Sequence, residues 1–433
     1  MKRLTKLIFT FIIIFIGTIN VYAKDTVYSV NKYEDENLTI IKDSYNKENK
    51  KDGNVVAGTF LKEKIEKDEE KLDNYQIMLI KYKIDGKVAW TYRYGRTSSE
   101  NIEELVYSYD VNNKIDGYLM VISNSYDIET ETNPRNLFVK IDLEGKLVFE
   151  KDIDQVINKL IPTYKIDDIV DGYIGITDTS IIKYDKDLNL IYKKDTPNTK
   201  YLDIVDIYND KEIIGYAFII QEEVDNKPIN KLITYNNDLT ESKIINENIE
   251  LENIKLSNSN NGFIIYGITN EVKLKKSDTS YYITKYNNLL EEVWESIGNI
   301  PLSEDSDVVL KSIKDNYFLL YKNVDNSFEV IKLDKEGLVK NKIKKINNSY
   351  YNFINFSITN EKELYFIGQI GCPEDEKCNY KNNSLYLASD EDKVIEVQDS
   401  TSTNILVGIM VFLVAIGTAV YVVKSKSIKN KKK

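Results

Sequence analysis

The sequence has 433 residues, 42% of them hydrophobic and 29% charged, so the chain has enough apolar side chains to bury a large core. It contains no histidine, which excludes catalytic triads that use imidazole and metal or haem sites that need a histidine ligand. The formal net charge is −11, so the chain would repel the phosphate backbone of a nucleic acid, and we expect no nucleic-acid partner.

The first 23 residues have the pattern of a secretory signal peptide. Three basic residues within the first six precede an apolar stretch at 7–19. Val21 and Ala23 stand three residues and one residue before Lys24, which predicts cleavage after Ala23. The apolar stretch is short for a bilayer core of about 30 Å, and an uncleaved anchor is the alternative interpretation.

A short phrase recurs along the middle of the chain. It places Asp, Asn and Gly directly after an apolar run, a composition that favours a tight turn. The copies begin at residues 81, 140, 183, 234, 285 and 332, with a degenerate copy at 388. Their mean spacing is about 51 residues, as in propeller arrays. A bulky residue follows nine positions later in four copies (Trp90, Phe149, Tyr192 and Trp294), so each copy predicts a strand, a turn and a second strand.

A second phrase lies upstream of each hairpin and completes the unit. It is a polar turn ending in Gly and an aromatic residue, as at 116–118, 171–173 and 261–263, with a β-like segment on either side. Each unit then holds four strands, and we predict an all-β fold, a seven-bladed β-propeller with four-stranded antiparallel blades. Six or eight blades are alternatives; a β-helix would need shorter coils, and helical repeats conflict with the β-branched, tyrosine-rich pattern. The predicted blades are 35–95, 96–155, 156–200, 201–247, 248–298, 299–346 and 347–397.

The first unit resembles the bacterial β-propeller repeat of secreted and surface-anchored proteins. Its segment 52–58 reads Asp-Gly-Asn-Val-Val-Ala-Gly, and 85–90 reads Asp-Gly-Lys-Val-Ala-Trp. The resemblance covers nearly the whole middle of the chain, but the fourth and seventh units lack the glycines. It implies a propeller outside the cytoplasm of a bacterium. That family has no single activity, so the resemblance carries over neither a catalytic residue nor a cofactor.

The two cysteines, Cys372 and Cys378, lie close together between two predicted strands of the last unit. In an exported segment such a pair predicts a local disulfide that closes a loop. A reactive dithiol or half of a metal site is the alternative, but two thiolates without histidine leave a zinc site short of ligands.

Three other features have a structural and a functional interpretation. Trp90 and Trp294 occupy equivalent repeat positions, so we interpret them as packing residues between blades rather than as a platform for sugar or peptide. The segment 185–189 alternates oxygen-bearing side chains as a calcium loop does, but it lacks the following Gly and distal Glu and is interpreted as a turn. The acidic segment 303–307 is predicted to be solvated. We predict no catalytic residue, metal or cofactor.

The C-terminal residues predict a membrane anchor. Residues 405–423 contain no charge and would form a transmembrane helix about 28 Å long. The tail at 424–433 holds six lysines, which places it in the cytoplasm and gives a single-pass type I topology. The predicted domains are the signal peptide at 1–23, the propeller ectodomain at 24–397, a linker at 398–404, and then the helix and tail. The part between the basic ends carries about −20, which favours cationic partners.

These observations predict a binding or scaffolding module and not an enzyme. The propeller would lie outside the cytoplasm, close to the cell membrane, with an extracytoplasmic protein or glycan as its partner. The first alternative is a carboxylate-based glycan hydrolase or lyase, since the two catalytic carboxylates need only spatial proximity. The second alternative is a passive structural spacer.

Overall fold

The computed structural model describes residues 27–33, 36–67, 70–95, 100–125, 135–164, 169–209, 212–240, 242–269, 279–298, 302, 307–313, 315–325, 327–346, 351–359, 363–370 and 383–390. Within these ranges the chain forms 28 β-strands in seven four-stranded antiparallel sheets. The prediction of an all-β propeller with four-stranded antiparallel blades is confirmed.

Six sheets each use four consecutive strands, and the order across the sheet is the order along the chain. β1 is Val27–Tyr33 and belongs to the seventh sheet. The first sheet is β2 Glu36–Tyr45, β3 Lys51–Lys67, β4 Glu70–Lys83 and β5 Val88–Tyr94; the second is β6 Asn101–Tyr109, β7 Ile115–Ser125, β8 Arg135–Asp142 and β9 Leu147–Ile153; the third is β10 Lys159–Tyr164, β11 Val170–Ile176, β12 Ser180–Asp185 and β13 Leu190–Asp195. The fourth is β14 Thr199–Asn209, β15 Glu212–Val224, β16 Lys227–Asn236 and β17 Ser242–Ile249; the fifth is β18 Glu252–Ser259, β19 Gly262–Thr269, β20 Ser280–Asn287 and β21 Glu292–Ile297; the sixth is β22 Val309–Ile313, β23 Asn316–Lys322, β24 Phe328–Leu333 and β25 Val339–Ile346.

The seventh sheet differs from the sequence-based prediction. It contains β26 Tyr351–Thr359, β27 Glu363–Ile370 and β28 Asn383–Asp390, and its fourth strand is β1 from the other end of the chain. β1 is antiparallel to β28, with Val30 opposite Leu387 and Val27 opposite Ser389. The prediction that residues 347–397 supply the whole last unit was therefore wrong. The segment before residue 35 matches no repeat phrase, so the periodicity could not assign it to a sheet.

The polar residues of the recurring phrases stabilise the turns in which they lie. In the hairpin between β8 and β9, Asp142 Oδ1 accepts hydrogen bonds from the backbone N–H of Lys146 at 2.8 Å and of Glu144 at 3.0 Å. Asp334 does the same for Leu338 and Glu336 in the sixth sheet. These side-chain bonds mimic backbone turn bonds and explain why Asp or Asn opens so many of the turns.

The Asp of each Asp-Gly phrase is tied to the strands beside it. Ser108 Oγ donates to Asp116 Oδ1 at 2.7 Å, and Lys140 Nζ lies 2.8 Å from Asp116 Oδ2. The first sheet repeats this arrangement with the same two distances, through Ser44, Asp52 and Lys81. The repeated acidic residues thus stabilise the sheet to which each belongs.

The sheets pack face to face around a central channel. Apolar clusters fill every boundary, for example the one where Leu105 and Tyr118 of the second sheet meet Val55 and Leu79 of the first. The first strand of each sheet lies innermost: β6 contacts β10, β14 contacts β18, and β26 contacts both β22 and β2, which closes the ring. Among the described residues, no helix has the length and apolar character needed to cross a membrane.

Candidate ligand site at the mouth of the channel

The seven innermost strands place equivalent residues at one depth of the channel. The register defines this depth, since Ser44, Ser108 and Ser259 each lie opposite the glycine of the next strand. The residues one position earlier form what we call the mouth ring. The mouth ring consists of Asp43, Tyr107, Pro162, Asp206, Asn258, Ser312 and Ser357.

A cavity of about 600 Å³ opens beside this ring, lined by the sixth, seventh and first sheets and by Tyr107 of the second. Its polar lining includes three lysines, Lys42, Lys51 and Lys311, together with Asp43 and Ser357. The volume lies within the range of small-molecule sites. Three lysines in one cavity are notable in a chain whose net charge is −11.

Two of the three lysines are matched by a carboxylate. Lys51 Nζ lies 2.6 Å from Asp43 Oδ1, and the same oxygen accepts a hydrogen bond from Ser357 Oγ at 2.7 Å. Lys42 Nζ lies 3.9 Å from Glu104 Oε1. Because Lys42 and Lys51 are each matched by a carboxylate, the net charge of the cavity depends on Lys311.

Lys311 has no such partner. It lies on β22, is partly buried, and forms no hydrogen bond or ion pair with any residue that the structure describes. Burial, together with the positive charges of Lys42 and Lys159, lowers the pKa of Lys311 to about 8. The cavity therefore carries one positive charge in surplus at neutral pH. An anion that approached Lys311 would stabilise its charged form.

Further along the channel, charges occur in matched pairs. Lys159 Nζ lies 2.7 Å from Asp203 Oδ1, and Lys255 Nζ lies 2.6 Å from Asp307 Oδ2. Burial alone would lower the pKa of Lys159, but Asp203 raises it above its ordinary value. Asp203 Oδ2 also accepts the N–H of Leu256 from the next sheet at 2.7 Å. These pairs hold sheets together and leave no surplus charge.

The wall across the channel is tyrosine-rich. Tyr109, Tyr164 and Tyr208 each follow the position opposite the glycine, in the second, third and fourth sheets, and Tyr45 is the equivalent residue of the first sheet, on the lysine side. Tyr109 and Tyr164 share a side-chain hydrogen bond, and Tyr208 hydrogen-bonds the carboxyl group of Asp206. Asp206 is 7% exposed, and burial raises its pKa to about 6. The mouth therefore has a lysine side and a tyrosine–carboxylate side.

The structure tests some of the residues singled out from sequence. Trp90 and Trp294 pack against the next sheet, since their Nε1 atoms donate to the carbonyl oxygens of Leu143 at 3.0 Å and Lys335 at 2.8 Å. In the turn at 185–189 the carboxylate of Asp185 accepts the N–H of Asn189 at 2.7 Å. Within the described ranges no group of three or more acidic or cysteine side chains is placed to hold a metal ion.

Other features predicted from the sequence lie outside the described residues or at their margin. Cys372, Cys378, the cleavage site after Ala23 and the segment 405–423 lie outside the described residues. Of the predicted solvated segment 303–307, the described residue Asp307 pairs with Lys255.

The recurring phrases do not predict the residues that line the mouth. Lys42 lies two positions before Ser44, which is opposite Gly53. Lys311 lies two positions before Ile313, which is opposite Asn316. Aligning the units on their first strand, and not on the hairpin phrase, would have set these two lysines against Val106 and Ser257 at the same position. A charged residue where other copies have a small or apolar one is a signal of function that the sequence contains.

No family model and no curated protein matches the chain. Among solved structures it is similar to YCF48 bound to D1 peptide, with a TM-score of 0.48 and 10% identity over 86% of this chain and 96% of that one. It is also similar to the Pan2 WD40 domain of Neurospora crassa, with a TM-score of 0.46 and 8% identity over 84% of this chain and 92% of that one. A third is the β-propeller domain of the trilobed protease from Pyrococcus furiosus, with a TM-score of 0.45 and 10% identity over 82% and 99%. At these identities the likeness concerns the fold alone.

Proposed function

We propose that this chain is a membrane-anchored, extracytoplasmic β-propeller that binds an anionic group in the mouth of its channel. The group is a carboxylate or phosphate of a membrane-proximal protein or ligand. The observation that carries the proposal is Lys311, a partly buried ammonium group without an ion-pair partner in the described residues, beside a cavity of about 600 Å³.

The energetics of the site favour an anion over water. Burial and two neighbouring lysines disfavour the charged form of Lys311, which is why its pKa is lowered to about 8. An anion in the cavity would compensate that charge and accept hydrogen bonds from Lys311 and from the hydroxyl group of Ser312. Because hydrogen bonds to charged groups are about twice as strong as neutral ones, this pocket favours a carboxylate over a neutral amide.

The topology supports an orientation of the mouth toward the membrane. Thr359 lies opposite Glu363, and Glu363 lies opposite Asp390, so the last described strand ends at the face where Tyr45 and Lys51 lie. Residues 391–404 separate that strand from the proposed span at 405–423, and 14 residues reach at most about 50 Å. A ligand for this mouth is therefore reached most directly from the bilayer side.

Binding is tested with the full-length chain in nanodiscs and hexanoate as the carboxylate probe. Saturation-transfer NMR should show hexanoate bound, with inorganic phosphate as a competitor. Lys311→Met removes the charge but keeps the length of the side chain, and it should weaken hexanoate binding about tenfold. Lys243→Met, on the exposed outer strand β17, is the matched control and should bind as the unaltered protein does. Equal binding by both variants would refute the site.

Anchoring is tested separately by cell fractionation. The full chain should sediment with membranes and resist extraction by high salt, whereas a chain ending at residue 404 should appear in the culture medium. Recovery of both forms in the cytoplasm would contradict the proposed location.

A further inference from the structure

We propose that the wall of the mouth opposite the lysines is a second subsite, and that it binds an ammonium group. Asp206 is its charged residue, and Tyr109, Tyr164 and Tyr208 surround it. The ligand of the channel is then a zwitterion, with its anionic group at Lys311 and its ammonium group at Asp206. The anionic end of this inference rests on the proposed function; the ammonium subsite does not.

Asp206 differs from Asp43 and Asp203, the other aspartates of the innermost strands. Asp43 is paired with Lys51, and Asp203 is paired with Lys159. Asp206 forms no ion pair within the described part of the chain, although it is only 7% exposed. Its carboxyl group interacts instead with the side chains of Tyr208 and Asn258.

A buried carboxylate without a cation is costly, because it has lost water without gaining a counter-charge. Burial raises the pKa of Asp206 to about 6, which agrees with the absence of a cationic partner among the described residues. At neutral pH the group is nevertheless mostly ionised. A cationic ligand would supply the missing partner, in the way that Lys51 and Lys159 serve Asp43 and Asp203.

The surrounding tyrosines suit an ammonium group in particular. Tyr109, Tyr164 and Tyr208 are partly buried and come from three consecutive innermost strands, β6, β10 and β14. Burial raises the pKa of both Tyr109 and Tyr164, and the negative charge of Asp206 adds to that rise. Phenol oxygens accept N–H hydrogen bonds, and tyrosine rings attract cations.

The two subsites face each other across one channel. Asp206 belongs to the fourth sheet and Lys311 to the sixth, while the cavity beside Lys311 is lined by the sixth, seventh, first and second sheets. In a ring of seven sheets the fourth lies opposite the boundary between the seventh and the first. A short zwitterion that bridges the channel therefore satisfies both unpaired charges at once.

The test compares three probes of matched length on the full-length protein in nanodiscs. They are 6-aminohexanoate, hexanoate and hexylammonium, and the ω-amino acids with four and eight carbons extend the series in case the gap is shorter or longer. We expect at least one ω-amino acid to bind about tenfold more tightly than the carboxylate of the same length. Asp206→Asn should abolish that advantage and leave hexanoate binding unchanged, whereas Glu247→Gln on the exposed outer strand should alter neither.

The outcomes separate the two proposals. If hexanoate binds and no ω-amino acid binds more tightly, the ammonium subsite is overturned and the anion site stands. If hexylammonium binds, depends on Asp206, and hexanoate does not bind, the anion site is overturned and the ammonium subsite stands. If millimolar calcium binds to the unaltered protein but not to Asp206→Asn, and hexylammonium binds to neither, the subsite is a metal site and the inference fails.

Discussion

The indole ring of Trp90 lies directly over the backbone of Gly145 in the neighbouring sheet. A Cβ atom on Gly145 would stand 2.7 Å from Trp90 Cδ2, closer than real Cβ contacts occur. Gly145 also has a φ of 81°, in the left-handed region that favours glycine. The same pairing recurs between Trp294 and Gly337, where the distance would be 2.4 Å.

Gly145→Ala should therefore lower the free energy of unfolding by about 2–4 kcal/mol, since it adds both a clash and backbone strain. Urea denaturation of the full-length protein in detergent, followed by tryptophan fluorescence, measures this. Combining the change with Trp90→Phe should recover part of the loss, because the smaller ring leaves room for the methyl group. If the losses of the two single variants simply add, the packing explanation fails.

Asp206→Asn should stabilise the protein at pH 8, by at most about 3 kcal/mol. The pKa of this carboxyl is raised to about 6 in the folded state, so the folded protein holds its proton between pH 4 and 6 while the unfolded chain has released it. The stability of the unaltered protein thus falls as pH rises through this window, and the asparagine variant lacks that fall. Denaturation at pH 4 and pH 8 checks this; an equal difference at both pH values would contradict it.

Hexanoate binding should weaken about tenfold between pH 7 and pH 9, because Lys311 loses its charge near its pKa of about 8. Burial raises the pKa values of Tyr45, to about 12, and of Tyr107, so neither group titrates in this interval. Lys311→Met should show weak binding with no pH dependence, and NMR titrations at the two pH values measure both. Binding by the unaltered protein that is constant from pH 7 to pH 9 would exclude Lys311 as the anion's partner.

Deleting residues 27–33 from the full chain should leave β28 as an unpaired edge. Open edges pair with other chains, so we expect lower stability together with dimers or larger assemblies. Size-exclusion chromatography with light scattering checks the assembly state. A deletion of the same length that leaves β1 and both cysteines intact, at 271–277 between β19 and β20, is the control; equal assembly by both would remove the edge as the cause.

The periodicity of the sequence was enough to predict the strands, because each unit repeats its turn chemistry. Asp142 and Asp334 open turns wherever the phrase occurs, and their side-chain bonds are local. The sequence also contains the pairing between the bulky residue of one unit and the turn residue of the next unit, although we did not predict this pairing. Trp90 packs on Gly145 of the next unit, whereas the smaller Phe149 shares an apolar cluster with Leu188 of the next unit. Leu188 has a φ of 62°, so the turn itself tolerates a side chain.

The site was less predictable, because it is assembled from single residues of distant units. Lys311 and Asp206 are more than 100 positions apart, and neither belongs to a repeated phrase. Nothing local distinguishes them from surface charges. Only the register, which brings the first strands to one depth, makes Asp206 a buried carboxylate without an ion pair in the described residues.

The pairing of β1 with β28 also sets the order in which the molecule can be completed. Val30 must remain without its ladder partner until Leu387 has been synthesised, and every other sheet can form before then. Joining positions so far apart costs on the order of 5 kcal/mol in chain entropy, which the adjoining sheets reduce if they have already stacked. The last hydrogen bonds of the ring thus act as a check on the product, because a chain that is cut short in synthesis exposes a free edge to cellular proteases.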